Sequence, residues 1–191
     1  MKYTAVKYKT PLVVAATAVV IAACALLWYA LPQNTQIYAP FEVRGTIGSP
    51  TVGRGITATV TEVQIAPRLG AQRTGGPIAA AGMWVVVTTG LDAGASADLA
   101  RAELLVGPNT YAYTERLIAG PAFLQPGITQ RRAWAFDVAP DVLDAAQSVA
   151  LRIWVGDARL DSRLVIEVPL DNEAVHRGDS IDVPPLVAVA G

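Results

Sequence analysis

At 191 residues the chain has room for one membrane-crossing segment and one folded domain of about 140 residues. Charge is uneven: all three lysines precede residue 12, while the rest carries 12 arginines against 16 acidic side chains with both signs scattered, which excludes the concentrated basic surface that nucleic acid requires. A single cysteine, Cys24, excludes an internal disulfide and a cysteine-built metal site, so packing and strand pairing alone must hold the fold.

The N-terminal residues 1–11 form a short basic tail carrying all three lysines, Lys2, Lys7 and Lys9. Leu12 to Leu31 follows as twenty residues without a charge, and the next charge is Glu42. At ~1.5 Å per residue this run makes a helix of about 30 Å, the thickness of a bilayer's hydrocarbon core. Thr10 and Pro11 suit a helix start, Trp28 and Tyr29 an interfacial aromatic belt, and Pro32 a helix stop. The lysines place the N-terminus in the cytoplasm. The expectation is a single-pass plasma-membrane anchor with an extracytoplasmic C-terminal domain.

Two rivals fit part of the same stretch. Small residues at Ala22 and Ala23 suit a cleaved secretory signal. Ile21-Ala22-Ala23-Cys24 resembles a bacterial lipobox, which would make Cys24 a lipidation site. The apolar continuation from Ala25 to Leu31 favours the anchor over both, because mature proteins turn polar there. Ala15, Ala18, Ala22 and Ala25 recur at helical spacing and make one face small enough for close helix packing. Beyond the run the chain has 12 arginines and no lysine, a usage that looks like high-G+C coding of the actinobacterial kind.

Residues 32–55 are rich in Pro, Gly, Gln, Asn and Thr and read as a linker, with 41–44 as a possible short edge strand. From Ile56 the period becomes two: Ile56, Ala58 and Val60 alternate with threonines. The apolar phase then moves to Val63 and Ile65, which predicts a bulge near Glu62. Residues 68–77 read as a mobile loop. Met83 to Thr89 is nearly continuously apolar, as a central strand covered on both faces is. Residues 92–98 read as a second loop. A hairpin follows, Arg101 to Val106 and Tyr111 to Glu115 about a Gly107-Pro108-Asn109-Thr110 turn.

Pro126-Gly127 marks the next turn, and Gln130 to Val138 puts Trp134, Phe136 and Val138 on one face. Residues 140–146 suit a single helical turn. Val149, Leu151, Ile153 and Val155 form another apolar face, Gly156-Asp157 a turn, and Leu164, Ile166 and Val168 the last strand. Many short strands with regular turns and almost no helix predict an all-β sandwich over residues 56–170, with 171–191 as a C-terminal tail.

One series of motifs resembles a known family. Gly82-Met83-Trp84-Val85-Val86-Val87 leads to a Gly-containing loop at Leu91-Asp92-Ala93-Gly94, then to Leu104 and Leu105 and to Tyr111 and Tyr113. Leu124-Gln125-Pro126-Gly127 and Trp134-Ala135-Phe136-Asp137-Val138-Ala139-Pro140 complete the order. This resembles the bacterial telokin-like immunoglobulin-fold domains of unknown function, with their leucine-x-proline-glycine turn before a strand ending phenylalanine-x-valine-proline. The likeness covers roughly residues 56–168. It departs in lacking a polar turn residue after the Val85 to Thr89 strand and in inserting Ala139 before Pro140. The resemblance implies an immunoglobulin-like sandwich, secreted or membrane-anchored, and brings no catalytic set with it.

Little in the chain points to chemistry. His176 is the sole histidine, in a polar stretch after the last strand, and no serine stands in a nucleophile elbow. Asp157 and Asp161, or Asp137, Asp141 and Asp144, supply hard oxygens without a calcium-loop spacing. Arg177-Gly178-Asp179 spells an adhesion tripeptide, which chance accounts for in a chain this rich in Arg and Gly. No Gly-rich phosphate loop joins a strand to a helix.

The tail is more informative. Val183, Leu186, Val187 and Val189 make its last eleven residues apolar, so it either docks on a partner or packs back on its own domain. The expected function is therefore non-enzymatic and without cofactor or catalytic residue. The chain reads as a membrane-anchored accessory protein of the bacterial cell envelope, bound to the bilayer and contacting a membrane or exported protein, with no nucleic acid. The alternative is an extracytoplasmic carrier of a lipid or cell-wall ligand, acylated at Cys24.

Overall fold

The computed structural model describes residues 10–30, 41–71, 76–114, 123–157, 162–183 and 187–190, with residues 10, 12, 30, 71 and 187–190 described by backbone alone. The chain separates into two compact units, Met1–Ala39 and Pro40–Gly191.

The first unit holds helix α1, Thr10–Ala30. Every described side chain of α1 is exposed, Pro11 and Val13 through Tyr29. The helix has no polar face, because the sequence supplies none. Its one mid-helix hydroxyl, on Thr17, donates to the Val13 carbonyl at 2.9 Å and so is satisfied within the helix. The consecutive described side chains run from residue 13 to residue 29, about 26 Å of helix. Among the described residues no helix is long and apolar enough to cross a membrane. The lysine tail, Leu31 and Pro32 lie outside the described residues.

The second unit is a β-sandwich. Its first sheet is built from β1 (Glu42–Thr46), β5 (Asp98–Val106), β6 (Asn109–Ala112), β9 (Ser148–Val155) and β10 (Arg163–Pro169), in the order β1-β10-β9-β5-β6. Strand β7 (Phe123–Leu124) adds to the end of β5. The second sheet has β3 (Ile56–Ala71), β4 (Gly76–Ala93), β8 (Ile128–Val138) and β13 (Val187–Ala190) in that spatial order. Strands β2 (Thr51–Val52), β11 (Val175–Arg177) and β12 (Ile181–Asp182) pair with β3. The short helix α2 (Pro140–Ala145) joins β8 to β9, with Pro140 in its first turn and Leu143 buried beneath it.

Alternation along each strand places the core. Ile56, Ala58, Val60, Val85, Val87, Trp134, Phe136 and Val138 of the second sheet meet Leu104, Leu151, Ile153, Leu164 and Ile166 of the first. The expected phase change is real: the β3–β4 register shifts between Val60 and Glu62, which keeps Val63 and Ile65 facing inward. Strand β4 lies between β3 and β8, and residues 84–89 are buried on both faces, as the apolar run predicts.

A second apolar cluster explains that two-sided burial. Ala66, Leu69, Trp84, Val86, Ala133 and Ala135 pack with Ile181 and Val183 on the side of the sheet away from the main core. A register irregularity between Ala66 and Arg68 bends the β3–β4 ribbon, and the Trp84 indole Nε1 donates to the Ile78 carbonyl at 3.1 Å. Asp137 clasps the bend, accepting the Ala81 and Gly82 N–H groups at 2.9 Å each. A Cβ on Gly82 would overlap the Val138 carbonyl oxygen, so only glycine fits there.

Four boundaries differ from the sequence expectation. Residues 42–52, assigned to the linker, carry β1 and β2; the 41–44 edge strand is present and extends to Thr46. The loop expected over 68–77 is a continuation of β3 and β4, because backbone pairing reaches Ala71 and Gly76; residues 72–75 lie outside the described set. The loop expected over 92–98 is short, since β4 runs to Ala93 and β5 starts at Asp98. The tail, finally, is integrated: β11 and β12 run parallel to β3, and β13 runs antiparallel to β8.

Candidate functional site

The residues singled out from sequence are not brought together. Ala15, Ala18, Ala22 and Ala25 sit on α1 with exposed side chains, and Cys24 is an exposed free thiol on the same helix. Val183 is 9% exposed and packs within the second apolar cluster of its own domain. Val187 and Val189 lie in β13 opposite Arg131 and Thr129, and Leu186 lies outside the described residues.

The acids scatter. Asp137 holds the ribbon bend, Asp141 and Asp144 are exposed on or beside the first turn of α2, and Asp157 is exposed after β9; Asp161 is outside the described residues. Among the described residues no group of three or more His, Cys, Asp or Glu is placed to hold a metal ion. In the Arg177-Gly178-Asp179 tripeptide, the Gly178 N–H donates to the Ile65 carbonyl at 3.0 Å, so the motif continues a sheet edge.

The densest polar grouping lies on the outer face of the first sheet, and sequence reasoning missed it. Register sets Arg44, Val165, Arg152 and Glu103 side by side across four strands. Glu42 sits at the hub, 3.5 Å from Arg44, 3.8 Å from Arg152 and 3.7 Å from Arg163. Arg152 reaches Glu103 on its other side at 3.3 Å. Ser148 donates to Glu167 at 3.0 Å. A depression of about 560 Å³ opens over this face, lined by Glu42, Arg44, Leu105, Ser148, Arg152 and Glu167. Charges of both signs neutralise one another here. The arrangement suits polar contact with a partner group carrying either sign of charge.

His176 has a comparable setting on the second sheet. Its Nε2 lies 4.0 Å from Glu62, which also takes a 2.6 Å hydrogen bond from Gln64 and faces Arg131 at 3.8 Å. Gly90, opposite Arg131 on the intervening strand, presents no side chain between them. At 60% exposure the imidazole is a surface group.

Inside the sandwich Trp134 collects the buried polar contacts. Its indole N–H donates to the Thr89 hydroxyl at 2.9 Å, and that hydroxyl donates to the Arg132 carbonyl at 3.1 Å. The Arg132 guanidinium stacks 4.3 Å over the Trp134 ring, and Tyr113 meets it edge-on with centroids 4.9 Å apart. Periodicity marked Trp134 as core but gave no sign of these partners: Thr89 and Tyr113 are far away in sequence, and Arg132, two residues earlier on β8, reads as an ordinary strand arginine.

No protein-family model matches the chain, and no curated protein matches it. Among solved structures it is similar to an uncharacterized β-sandwich protein from Clostridium difficile 630. That likeness has 12% identity over 71% of this chain and 99% of the other, with a TM-score of 0.41.

Proposed function

We propose that the protein is a membrane-anchored accessory protein of a bacterial cell envelope, whose extracytoplasmic sandwich contacts a membrane or exported protein. The observation that carries this reading is α1. Its described side chains are apolar on every side and all exposed, with Val13, Val19, Ile21, Leu26 and Trp28 each at least 60% so. A helix apolar all round belongs in a protein core or a bilayer. The basic residues before it and the uncharged stretch after it orient the chain with its N-terminus in the cytoplasm.

The sandwich itself reads as immunoglobulin-like, and strand order supports that. In chain order β3, β4 and β8 lie in one sheet, while β5, β9 and β10 lie in the other. The A, B, E against C, F, G division of immunoglobulin-like domains has the same order, which supports the reading. The parallel pairing of β1 with β10 fits a first strand split between the sheets. The telokin-like assignment rests on the motif order alone. Sandwiches of this kind work through faces, edges and loops, and the outer face of the first sheet offers a polar surface of that sort.

Purification in mild detergent followed by native mass spectrometry tests the proposal. A stoichiometric membrane or exported partner supports it. A monomer carrying bound lipid or glycan in its sandwich would replace it with the carrier reading, and the mass of the N-terminal peptide would show whether Cys24 is acylated.

A further inference from the structure

Outside α1, the large apolar side chains left exposed among the described residues are three: Phe41 at 79%, Val52 at 65% and Phe123 at 55%. Large apolar groups exposed singly are ordinary. The register shows that these three are not scattered. Phe41 immediately precedes β1, and its carbonyl accepts the Arg163 N–H at 2.8 Å, where β10 begins. Val52 pairs with Thr57 at the start of β3, and the neighbouring Arg54 N–H donates to Ser162 Oγ at 2.8 Å, again beside the start of β10. Phe123 pairs with Leu99 at the start of β5, next to Ala100, which pairs with Val155 at the end of β9. Strands β9 and β10 are antiparallel neighbours, so the end of β9 and the start of β10 share one end of the sandwich. All three exposed side chains therefore lie at that end. It is also the end at which the chain arrives from α1, through residues 31–40, a tether of at most about 35 Å.

We propose that this end of the sandwich is a membrane-contact surface, with Phe41, Val52 and Phe123 inserted at the headgroup–acyl boundary of the bilayer that holds α1. The inference rests on the anchor reading. Two features of the surface favour lipid as the occupant. The apolar residues are confined to the end at which the chain enters the domain, and they lie on different strands of both sheets instead of forming the single compact patch a protein hot spot needs. Charged side chains at this end have both signs, Arg54 and Arg163 with Glu42, Asp98 and Asp157. Attachment is therefore by insertion of apolar side chains and is insensitive to salt, unlike a polybasic contact.

Site-directed spin labelling of the full chain in phosphatidylcholine–phosphatidylglycerol nanodiscs tests this. In a Cys24→Ala background, single labels are placed through Phe41→Cys, Val52→Cys, Phe123→Cys, Val20→Cys and Asn109→Cys, the last on the β5–β6 turn at the opposite end. Collision with oxygen, which concentrates in lipid, is compared with collision with a water-soluble nickel chelate. The expected result is oxygen exceeding chelate at 20, 41, 52 and 123, inverted at 109, and unchanged by added salt. A lipid-like label at 20 with aqueous labels at 41, 52 and 123 overturns the contact and leaves the anchor standing. An aqueous label at 20 overturns both. In a Phe41→Ser/Phe123→Ser background the label at 52 should shift to the aqueous pattern; a label that stays lipid-like refutes the assignment of the contact to these phenylalanines.

Discussion

Truncating Ile181 and Val183 to alanine separates a tail built into the fold from a tail kept free for a partner. Ile181 is 3% exposed and Val183 9%, and both belong to the apolar cluster of Ala66, Leu69, Trp84, Val86, Ala133 and Ala135. The double change removes five buried carbons, which at about 0.8 kcal/mol each gives about 4 kcal/mol of lost transfer free energy. Burial already present in the unfolded chain reduces this to about 3 kcal/mol, and any cavity left behind adds to it. For a domain of this length, 3–4 kcal/mol corresponds to a fall in Tm of about 6–16 °C. Urea unfolding of the full chain in mild detergent, followed by near-UV circular dichroism, measures it; Ser180→Ala, an exposed neighbour, is the control. A loss below about 1 kcal/mol would show that the tail does not hold the second sheet, and the packing argument would fail.

Gly82→Ala should destabilise by about 1–3 kcal/mol in the same urea assay, since the new methyl overlaps a backbone carbonyl that cannot swing aside. Asp137→Ala strips the acceptor from two N–H groups and should cost about 2 kcal/mol, with Asp137→Asn recovering roughly half because one oxygen remains; equal losses would refute the clasp. Thr89→Val removes the acceptor of the Trp134 indole N–H with little change of side-chain shape, for an expected loss of about 1–3 kcal/mol by thermal unfolding. A double-mutant cycle on Glu42 and Arg152 should give a coupling under about 1 kcal/mol that shrinks in high salt, as befits a surface pair at 3.8 Å.

Much of the sandwich was legible because a strand's side-chain period is two whatever its neighbours are. Alternation alone assigned Ile56, Val60, Trp134, Phe136 and Leu151 to the core, and the phase change at Glu62 announced its bulge. The same logic failed where composition was read as conformation. Gly- and Pro-rich residues 42–52 and 68–77 looked like tether and loop, yet β1 joins the sheet through main-chain bonds to β10, and β3 and β4 continue through the bend that Asp137 holds. Backbone pairing uses groups that every non-proline residue carries, so it leaves little mark on side-chain chemistry.

By itself the sequence determined the apolar helix, its basic flank, the β-rich nature of the domain and the set of residues it buries, because these follow from local hydropathy and period. Register decided the rest. It turned Glu42, Glu103, Arg152 and Arg163, separate in the chain, into one charged face. It also carried the apolar tail back onto the second sheet instead of outward, and gathered Phe41, Val52 and Phe123 at one end. The physical reason is that a strand fixes only which face a side chain takes. Which other side chains it meets is chosen by the partner strand, and that choice belongs to the folded molecule as a whole.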